Sequence, residues 1–187
     1  SPVEYGRLTT KNAASAVAAW GTIRDDRSIN GNPLTINGTT YERGIGTHAN
    51  SEIIYIMDGR GFNFTAKCGS DADSGASGDI RFLVYGDDEL LYDSGELDWN
   101  DNAKSIDVNG IGYDTLRLVV DNCGNQNYDH ADWIDPQIAP YEPSSIEDGV
   151  LTTKNAMSVA SYWRTPADGK NQDAGPMILG GVNYIRS

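Results

Sequence analysis

The sequence predicts an all-β sandwich, and three observations support this fold class. The 187 residues include 21 Gly, 10 Tyr and 4 Trp, a composition typical of a protein with many turns and surface aromatics. Seven short apolar runs are separated by turn residues, and in two of them successive side chains alternate with the period of two expected of half-buried strands. The seven predicted strands are residues 51–57, 62–68, 79–86, 89–95, 104–110, 115–122 and 132–140.

Two of these runs show which side chains face the core. Alternate positions are apolar in DIRFLVYG (residues 79–86) and in LRLVV (residues 116–120), so each strand has one buried face. The predicted core-facing residues are Ile80, Phe82, Val84, Leu116, Leu118 and Val120. Between two strands, GDDE (residues 86–89) predicts a hairpin turn, because Gly and Asp tolerate the positive φ that such turns need.

The chain divides into one complete module and a remainder. A single domain usually has about 100–150 residues, and PYEPSSIEDG (residues 140–149) has the Pro, Ser and acidic composition of a linker. We therefore predict a β-sandwich over residues 1–140, a linker over residues 141–150 and a second unit over residues 151–187.

The second unit repeats the start of the first. LTTKNA at residues 8–13 recurs at residues 151–156, and Trp20 matches Trp163 at the same offset. A register that never slips indicates tandem copies of one module. The second copy stops where its counterpart of GIGTHANSE (residues 44–52) would begin, so we expect it to lack most strands and to form no core of its own.

Charge narrows the set of partners. With 14 Lys and Arg against 27 Asp and Glu, the formal net charge is −13, which disfavours nucleic acid and anionic membranes. Abundant carboxylates with only two His and two Cys suit Ca²⁺ more than a soft metal. No run approaches the roughly 20 apolar residues of a membrane span, and SPVEYG lacks the pattern of a leader, so we expect a mature, secreted segment.

Each of the two cysteines follows an apolar run and precedes a glycine. Cys68 and Cys123 could therefore meet at neighbouring strand ends and form a disulfide, or they could remain two separate buried thiols. Their spacing does not match a zinc site.

Catalytic patterns are absent from the sequence. A glycosidase needs two carboxylates flanking a cleft, one with a raised pKa, and no pair stands out among acids that lie mostly in Gly/Asn/Ser-rich turns. No serine lies in a GxSxG elbow, and only two histidines are present. A small β-sandwich glycosidase remains the enzymatic alternative.

Two polar segments instead have the residue types of a carbohydrate site, which needs an aromatic face and fixed hydrogen-bonding groups. They are GIGTHANSE and NYDHADW (residues 127–133), each at the entry to a predicted strand. The candidate sugar contacts in them are His48, Asn50, Asn127, Asp129, His130 and Trp133. The alternative is that buried polar groups bond to one another and fix the loops, which we favour for Asp132.

Residues 8–139 closely resemble the NPCBM family, which is family 51 of the carbohydrate-binding modules. The motifs that carry the resemblance are GIGTHANSE, FLVYGDDELLYDSG (residues 82–95) and NYDHADWIDPQI (residues 127–138), in family order. The resemblance implies a galactose-binding-domain-like jelly-roll sandwich with structural Ca²⁺, secreted by bacteria. It also implies that the module is appended to glycoside hydrolases and binds galactose-terminated or blood-group A/B-type glycans.

Further site residues follow from the resemblance. In related sandwiches the loop after the first segment holds calcium, which implies Asp26 and Ser28 as ligands, with Asp135 as a completing ligand. Trp99 lies where a Gly-rich loop is common in the family, so it is either an extra stacking face or an aromatic packed at a strand edge. Trp20 recurs with changed neighbours, which favours a core anchor over a sugar contact.

Three hypotheses for function result. The first is a non-catalytic module that holds a larger glycoside hydrolase on its glycan, with tandem copies adding avidity. The second is the small glycosidase, and the third is a structural spacer or protein-interaction domain.

Overall fold

The computed structural model describes residues 1–75, 78–124 and 127–142, together with the backbone of two short strands near the C-terminus. The strands are β1 (Gly6–Arg7), β2 (Ser15–Ala18), β3 (Arg24–Asp25), β4 (Leu34–Ile36), β5 (Thr39–Tyr41), β6 (Gly44–His48), β7 (Ser51–Ile56), β8 (Phe62–Ser70), β9 (Ile80–Gly86), β10 (Glu89–Leu97), β11 (Lys104–Gly110), β12 (Thr115–Asp121), β13 (His130–Pro140), β14 (Met177–Leu179) and β15 (Val182–Tyr184). The single helical element described is a 3₁₀ turn, Ala72–Ser74.

Two antiparallel sheets form the sandwich, which confirms the predicted all-β jelly-roll class. The first sheet has the order β11-β8-β13-β6-β3, with β1 also paired to β13, and the second has the order β10-β9-β12-β7-β2. Strands β4 and β5 form a separate hairpin, as do β14 and β15. All seven strands predicted from the sequence are present.

Alternating apolar side chains build the core between the sheets. Every residue predicted to face the core on β9 and β12 has no exposed surface. Trp133 of β13 packs its ring edge against Phe82 of β9, with ring centroids 4.9 Å apart and planes at 90°, so the two sheets interlock at the largest core side chain.

The outer face of the first sheet is covered near its middle by residues 27–36. Leu34 and Ile36 of the β4–β5 hairpin pack on Ile134 of β13 in a small second core. This close approach needs glycine beneath it, since a Cβ on Gly46 of β6 would lie 2.2 Å from the Arg27 carbonyl oxygen. Strand β6 is thus covered on both faces, and all five of its residues are buried.

Strand β13 runs the full length of the first sheet and connects its two ends. It pairs with β6 at His130 and with β1 at Ile138, where Gly6 lies opposite. Both the first and the last strand of the sandwich therefore meet at the end of the molecule far from His130. At that same far end, Asp87 has the positive φ of 50° predicted for the GDDE hairpin turn.

The two cysteines are separate in the structure. Cys68 is buried in the core and Cys123 is exposed on the turn after β12, and both thiols are free. Of the two alternatives, the structure shows the unpaired one. Within the described part of the chain, no helix is long and apolar enough to span a bilayer.

The predicted linker and second unit lie outside the described residues, except for Tyr141, Glu142 and the backbone of β14 and β15. The described sandwich ends with β13 at Pro140.

Candidate carbohydrate site

The polar segments singled out in the sequence meet at one end of the sandwich. Strand β6 ends there at His48, which pairs with His130 at the start of β13. The second sheet contributes the start of β7, since Ser51 pairs with both Ala18 and Val120. The connections after β2, β6, β8, β10 and β12 therefore all lie at this end, which we call the loop end.

Three aromatic rings form a cluster at the loop end. Trp20 stacks on His130, with centroids 5.8 Å apart and planes at 19°, and lies 5.1 Å from the ring of His48 at a tilt of 52°. The two imidazoles are 5.3 Å apart. The segments GIGTHANSE and NYDHADW thus contribute one histidine each to a shared site, which we call the Trp20 cluster.

Trp20 is the accessible member of the cluster. Its side chain is 53% exposed, whereas His48 and His130 are 5% and 7% exposed. The interpretation of Trp20 as a core anchor is therefore wrong, because the indole covers the histidines and presents its outer face to solvent. A flat, half-exposed indole is the kind of surface on which the C–H face of a sugar ring packs.

Polar contacts of Nδ1 favour one tautomer of each histidine. The Nδ1–H of His48 donates to the Ala49 carbonyl at 2.5 Å, so its Nε2 is an acceptor. The amide nitrogen of Asn30 lies 3.5 Å from Nδ1 of His130, at the outer limit of a hydrogen bond, and this weak contact favours a hydrogen on Nε2 of His130. The pair therefore offers one acceptor and one donor, the combination that recognises hydroxyl groups.

Asn50 ties three loops together beside the cluster. Its Oδ1 accepts from the Asn122 N–H at 3.0 Å, and its carbonyl accepts from the Ala19 N–H at 2.7 Å. This orientation leaves the Asn50 amide nitrogen directed away from those bonds as a donor, and the residue is exposed. Sequence reasoning predicted Asn50 but missed Asn30, which no motif distinguishes from other loop asparagines.

Two predicted contacts need correction. Trp133 has no exposed surface and lies in the core against Phe82, so it cannot stack on a soluble glycan. Asp129 is also fully buried, and neither carboxylate oxygen has a hydrogen-bond partner among the described residues. Both residues support the loop end from beneath.

The remaining predicted contacts stay exposed. Asn127 and its neighbour Tyr128 precede the buried Asp129, and Tyr128 is 60% exposed. Trp99 is 44% exposed on the turn between β10 and β11, also at the loop end. Among the ring contacts of the described residues, none joins Trp99 to the Trp20 cluster.

Buried carboxyl groups form a layer under the cluster. Asp132, on the same face of β13 as His130, is fully buried, and burial and the nearby Asp71 raise its pKa well above the usual value. Asp71 bonds the N–H of Thr35 at 3.0 Å, and Asp73 bonds the hydroxyl of Ser28 at 2.5 Å. Asp71 and Asp73 thus hold the covering segment in place, whereas neither oxygen of Asp132 has a hydrogen-bond partner among the described residues, so its predicted scaffold bonds are not seen.

Asp129 provides a test of this buried layer. Burial, together with the charge of Asp79, raises its pKa to about 7. The folded state therefore favours the protonated acid, and stability should fall as pH rises from about 4 through 7. We expect Asp129→Asn to raise the melting temperature at pH 8 and to leave it nearly unchanged at pH 4. If the melting temperatures of the wild type and the variant change in parallel with pH across this range, the raised pKa of Asp129 is contradicted.

Each predicted calcium ligand has a polar partner in the structure, although the buried Oδ1 of Asp135 has none, and the calcium site stays a prediction. Asp26 forms an ion pair with Arg7, and although burial alone would raise its pKa, this guanidinium and the Gly44 N–H hold it below its usual value. A cation so close to the carboxylate would repel Ca²⁺. Ser28 is committed to Asp73, and Asp135 accepts from Gln137 at 2.7 Å. The described residues contain no group of three or more His, Cys, Asp or Glu that could hold a metal ion.

Comparison of the sequence with known proteins identifies the family of the chain. Residues 5–139 match the NPCBM/NEW2 domain model. The chain is 32% identical over 193 residues to alpha-1,3-galactosidase B of Akkermansia muciniphila; the alignment covers 98% of this chain but 23% of that protein. The chain thus spans about a quarter of the length of this curated relative.

Solved structures with the same fold support the match. The CBM51 of Clostridium perfringens GH95, in complex with methyl-galactose, is 35% identical with a TM-score of 0.62, over 68% of this chain and 94% of that one. The structure of CBM51-2 in complex with GlcNAc and INT domains, from Clostridium perfringens ZmpB, is 30% identical with a TM-score of 0.65, over 73% of this chain and 32% of that one. The chain belongs to the NPCBM/NEW2 domain family, and its neighbours identify it as a carbohydrate-binding module of family 51.

Proposed function

We propose that this module binds galactose-terminated glycans at the Trp20 cluster and holds a larger, secreted bacterial glycoside hydrolase on its substrate. The half-exposed indole of Trp20, stacked on His130, carries this proposal. The sugar's C–H face packs on the outer face of the indole. At the rim of the indole, its hydroxyls reach the small exposed edges of His48 and His130 and the exposed side chain of Asn50.

The comparisons support a galactose-type ligand. One relative is named as an alpha-1,3-galactosidase, and one neighbour of the same fold was solved with methyl-galactose. The family resemblance extends the proposed ligands to blood-group A and B determinants. A tandem copy in the parent protein would add avidity through effective concentration, even where each site is weak.

Titration calorimetry with methyl-galactoside, GlcNAc and the A and B trisaccharides tests the proposal. We expect saturable binding of methyl-galactoside in the millimolar to micromolar range, and weaker binding of His48→Ala and His130→Ala. Binding of none of these sugars would leave the spacer hypothesis standing. Unaltered binding by both histidine variants would place the site elsewhere.

The glycosidase alternative is tested by turnover. Asp129 has the raised pKa of a general acid, but a fully buried carboxyl group cannot reach a glycosidic oxygen. We therefore expect no release of reducing sugar. Release that is abolished by a single carboxylate-to-amide substitution would establish the enzyme instead.

The proposed site should also depend on pH through His130. Burial, and then the neighbouring His48, lowers the pKa of His130, so its ring stays neutral at neutral pH. Protonation would place a hydrogen on Nδ1, where the ring now accepts from Asn30. We expect methyl-galactoside affinity to be constant at and above the usual histidine pKa of about 6.5 and to fall as the pH is lowered below it. His130→Gln should bind more weakly but without this dependence; an acid-induced loss that persists in this variant would exclude His130 as its cause.

A further inference from the structure

A second hollow adjoins the Trp20 cluster on the outer face of the second sheet. It has a volume of about 390 Å³, near the lower end of ligand pockets. The hollow is lined by residues of β2, β7 and β12 and of the connections next to them: Val17, Ala18, Ala19, Asn50, Ser51, Glu52 and Val119. Of these residues, the proposed function uses Asn50 alone.

The strand register explains the form of the hollow. Glu52 of β7 lies between Val17 of β2 and Val119 of β12 in one row across three strands. Ser51 and Ile53 on either side of Glu52 are buried, so this row faces outward. Val17 is 56% exposed, which leaves an open aliphatic wall beside a carboxylate.

Glu52 retains an unused acceptor. Both bonds from the Arg117 guanidinium, at 2.9 and 2.7 Å, go to Oε1 of Glu52. Oε2 has no hydrogen-bond donor among the described residues. The ion pair holds the carboxylate in place and leaves one oxygen free for a ligand N–H or O–H.

The hollow lies beside the segment that carries Trp20. Ala19 lines it, and the next residue is Trp20 itself. Asn50 lines it from the other side, with its Oδ1 bonded to Asn122 and its amide nitrogen available as a donor. A glycan whose terminal residue stacks on Trp20 would therefore extend its next residue over this surface.

We infer that the hollow is a second sugar subsite that takes the acetamido group of an N-acetylhexosamine next to the terminal residue. An acetamido group presents a methyl, an N–H donor and a carbonyl acceptor. The aliphatic wall of Val17 and Val119 packs on the methyl, Oε2 of Glu52 accepts from the N–H, and the Asn50 amide donates to the carbonyl. This inference rests on the proposed function, since the terminal sugar positions the second residue.

Calorimetry on the full chain with three sugars separates the two proposals. Methyl-galactoside tests the terminal site alone, and lactose and N-acetyllactosamine differ by the acetamido group. We expect N-acetyllactosamine to bind at least about tenfold more tightly than lactose, because one methyl contact and two hydrogen bonds are added. Failure of all three sugars to bind would refute the proposed function. Binding of methyl-galactoside with equal affinity for the two disaccharides would refute the subsite alone.

Variants assign the effect to this surface. Val17→Asp should reduce N-acetyllactosamine affinity to the level of lactose while methyl-galactoside affinity stays unchanged. The matched control is Leu90→Asp, because Leu90 is 48% exposed on β10, the opposite edge strand of the same sheet. An acetamido preference that survives Val17→Asp would overturn the inference. A gain for a 6-deoxy sugar in place of the acetamido sugar would overturn the assignment of the ligand.

Discussion

Trp20→Ala should weaken methyl-galactoside binding by at least about tenfold, the largest effect we expect of any single site substitution. The indole is the one strongly exposed ring of the cluster, and removing an aromatic platform of this size costs more than the roughly 1.4 kcal/mol that corresponds to a tenfold change. Stability should change little, because half of the side chain is already in water. Titration calorimetry gives the affinity, and thermal unfolding monitored by circular dichroism gives the stability.

Two further variants sharpen this experiment. Trp20→Phe keeps a smaller ring and should retain part of the affinity. Tyr5→Ala removes a 37% exposed aromatic at the far end of the sandwich and should leave binding unchanged. Wild-type affinity in Trp20→Ala would show that the sugar binds elsewhere at the loop end, for which Trp99 and Tyr128 are then the exposed candidates.

Gly46→Ala should destabilise the fold by about 1–3 kcal/mol or more, although it adds a single methyl group. The added Cβ would lie 2.2 Å from the Arg27 carbonyl oxygen and 2.6 Å from Cα of Ser28, both backbone atoms that cannot rotate away. The segment carrying Asn30 must then shift from the sheet. We therefore expect a lower midpoint in urea unfolding together with weaker sugar binding.

Gly61→Ala is a control that distinguishes steric crowding at Gly46 from a general effect of replacing glycine by alanine. A Cβ on Gly61 would meet a side-chain atom, Cβ of Tyr141, at 3.1 Å, which a small adjustment can relieve. Gly61→Ala should unfold within about 0.5 kcal/mol of the wild type. Equal stability of Gly46→Ala and Gly61→Ala would mean that residues 27–28 do not press on β6 as the structure shows.

Strand alternation made most of the fold predictable. All seven predicted runs formed strands, and in the two runs with a clear period of two the core-facing residues are buried as expected. Strand β6 was missed because it is covered on both faces and shows no alternation, so GIGTH was interpreted as a loop. The short edge strands β1 and β3 have two residues each, too few to give any periodic signal.

The sequence predicted where the site lies but not which aromatic side chain is accessible there. Both motifs meet at the loop end, yet the accessible ring is Trp20, which neither motif contains. Its position depends on a contact between the β2–β3 connection and residues far along the chain, which local patterns do not encode. Strand alternation could have excluded Trp133 from the sugar contacts. It lies an odd number of residues from His130 on one strand and so points to the opposite face.

The pairing of β1 with the end of β13 determines where other domains can be connected to the module in a larger protein. Ten residues of extended strand, roughly 30 Å, separate His130 from Pro140, and Gly6 lies beside Ile138. Domains joined before β1 or after β13 would therefore attach at the end of the sandwich opposite the loop end. Domains attached in this way would leave the loop end uncovered, which is the arrangement that glycan binding at the Trp20 cluster, as proposed, requires.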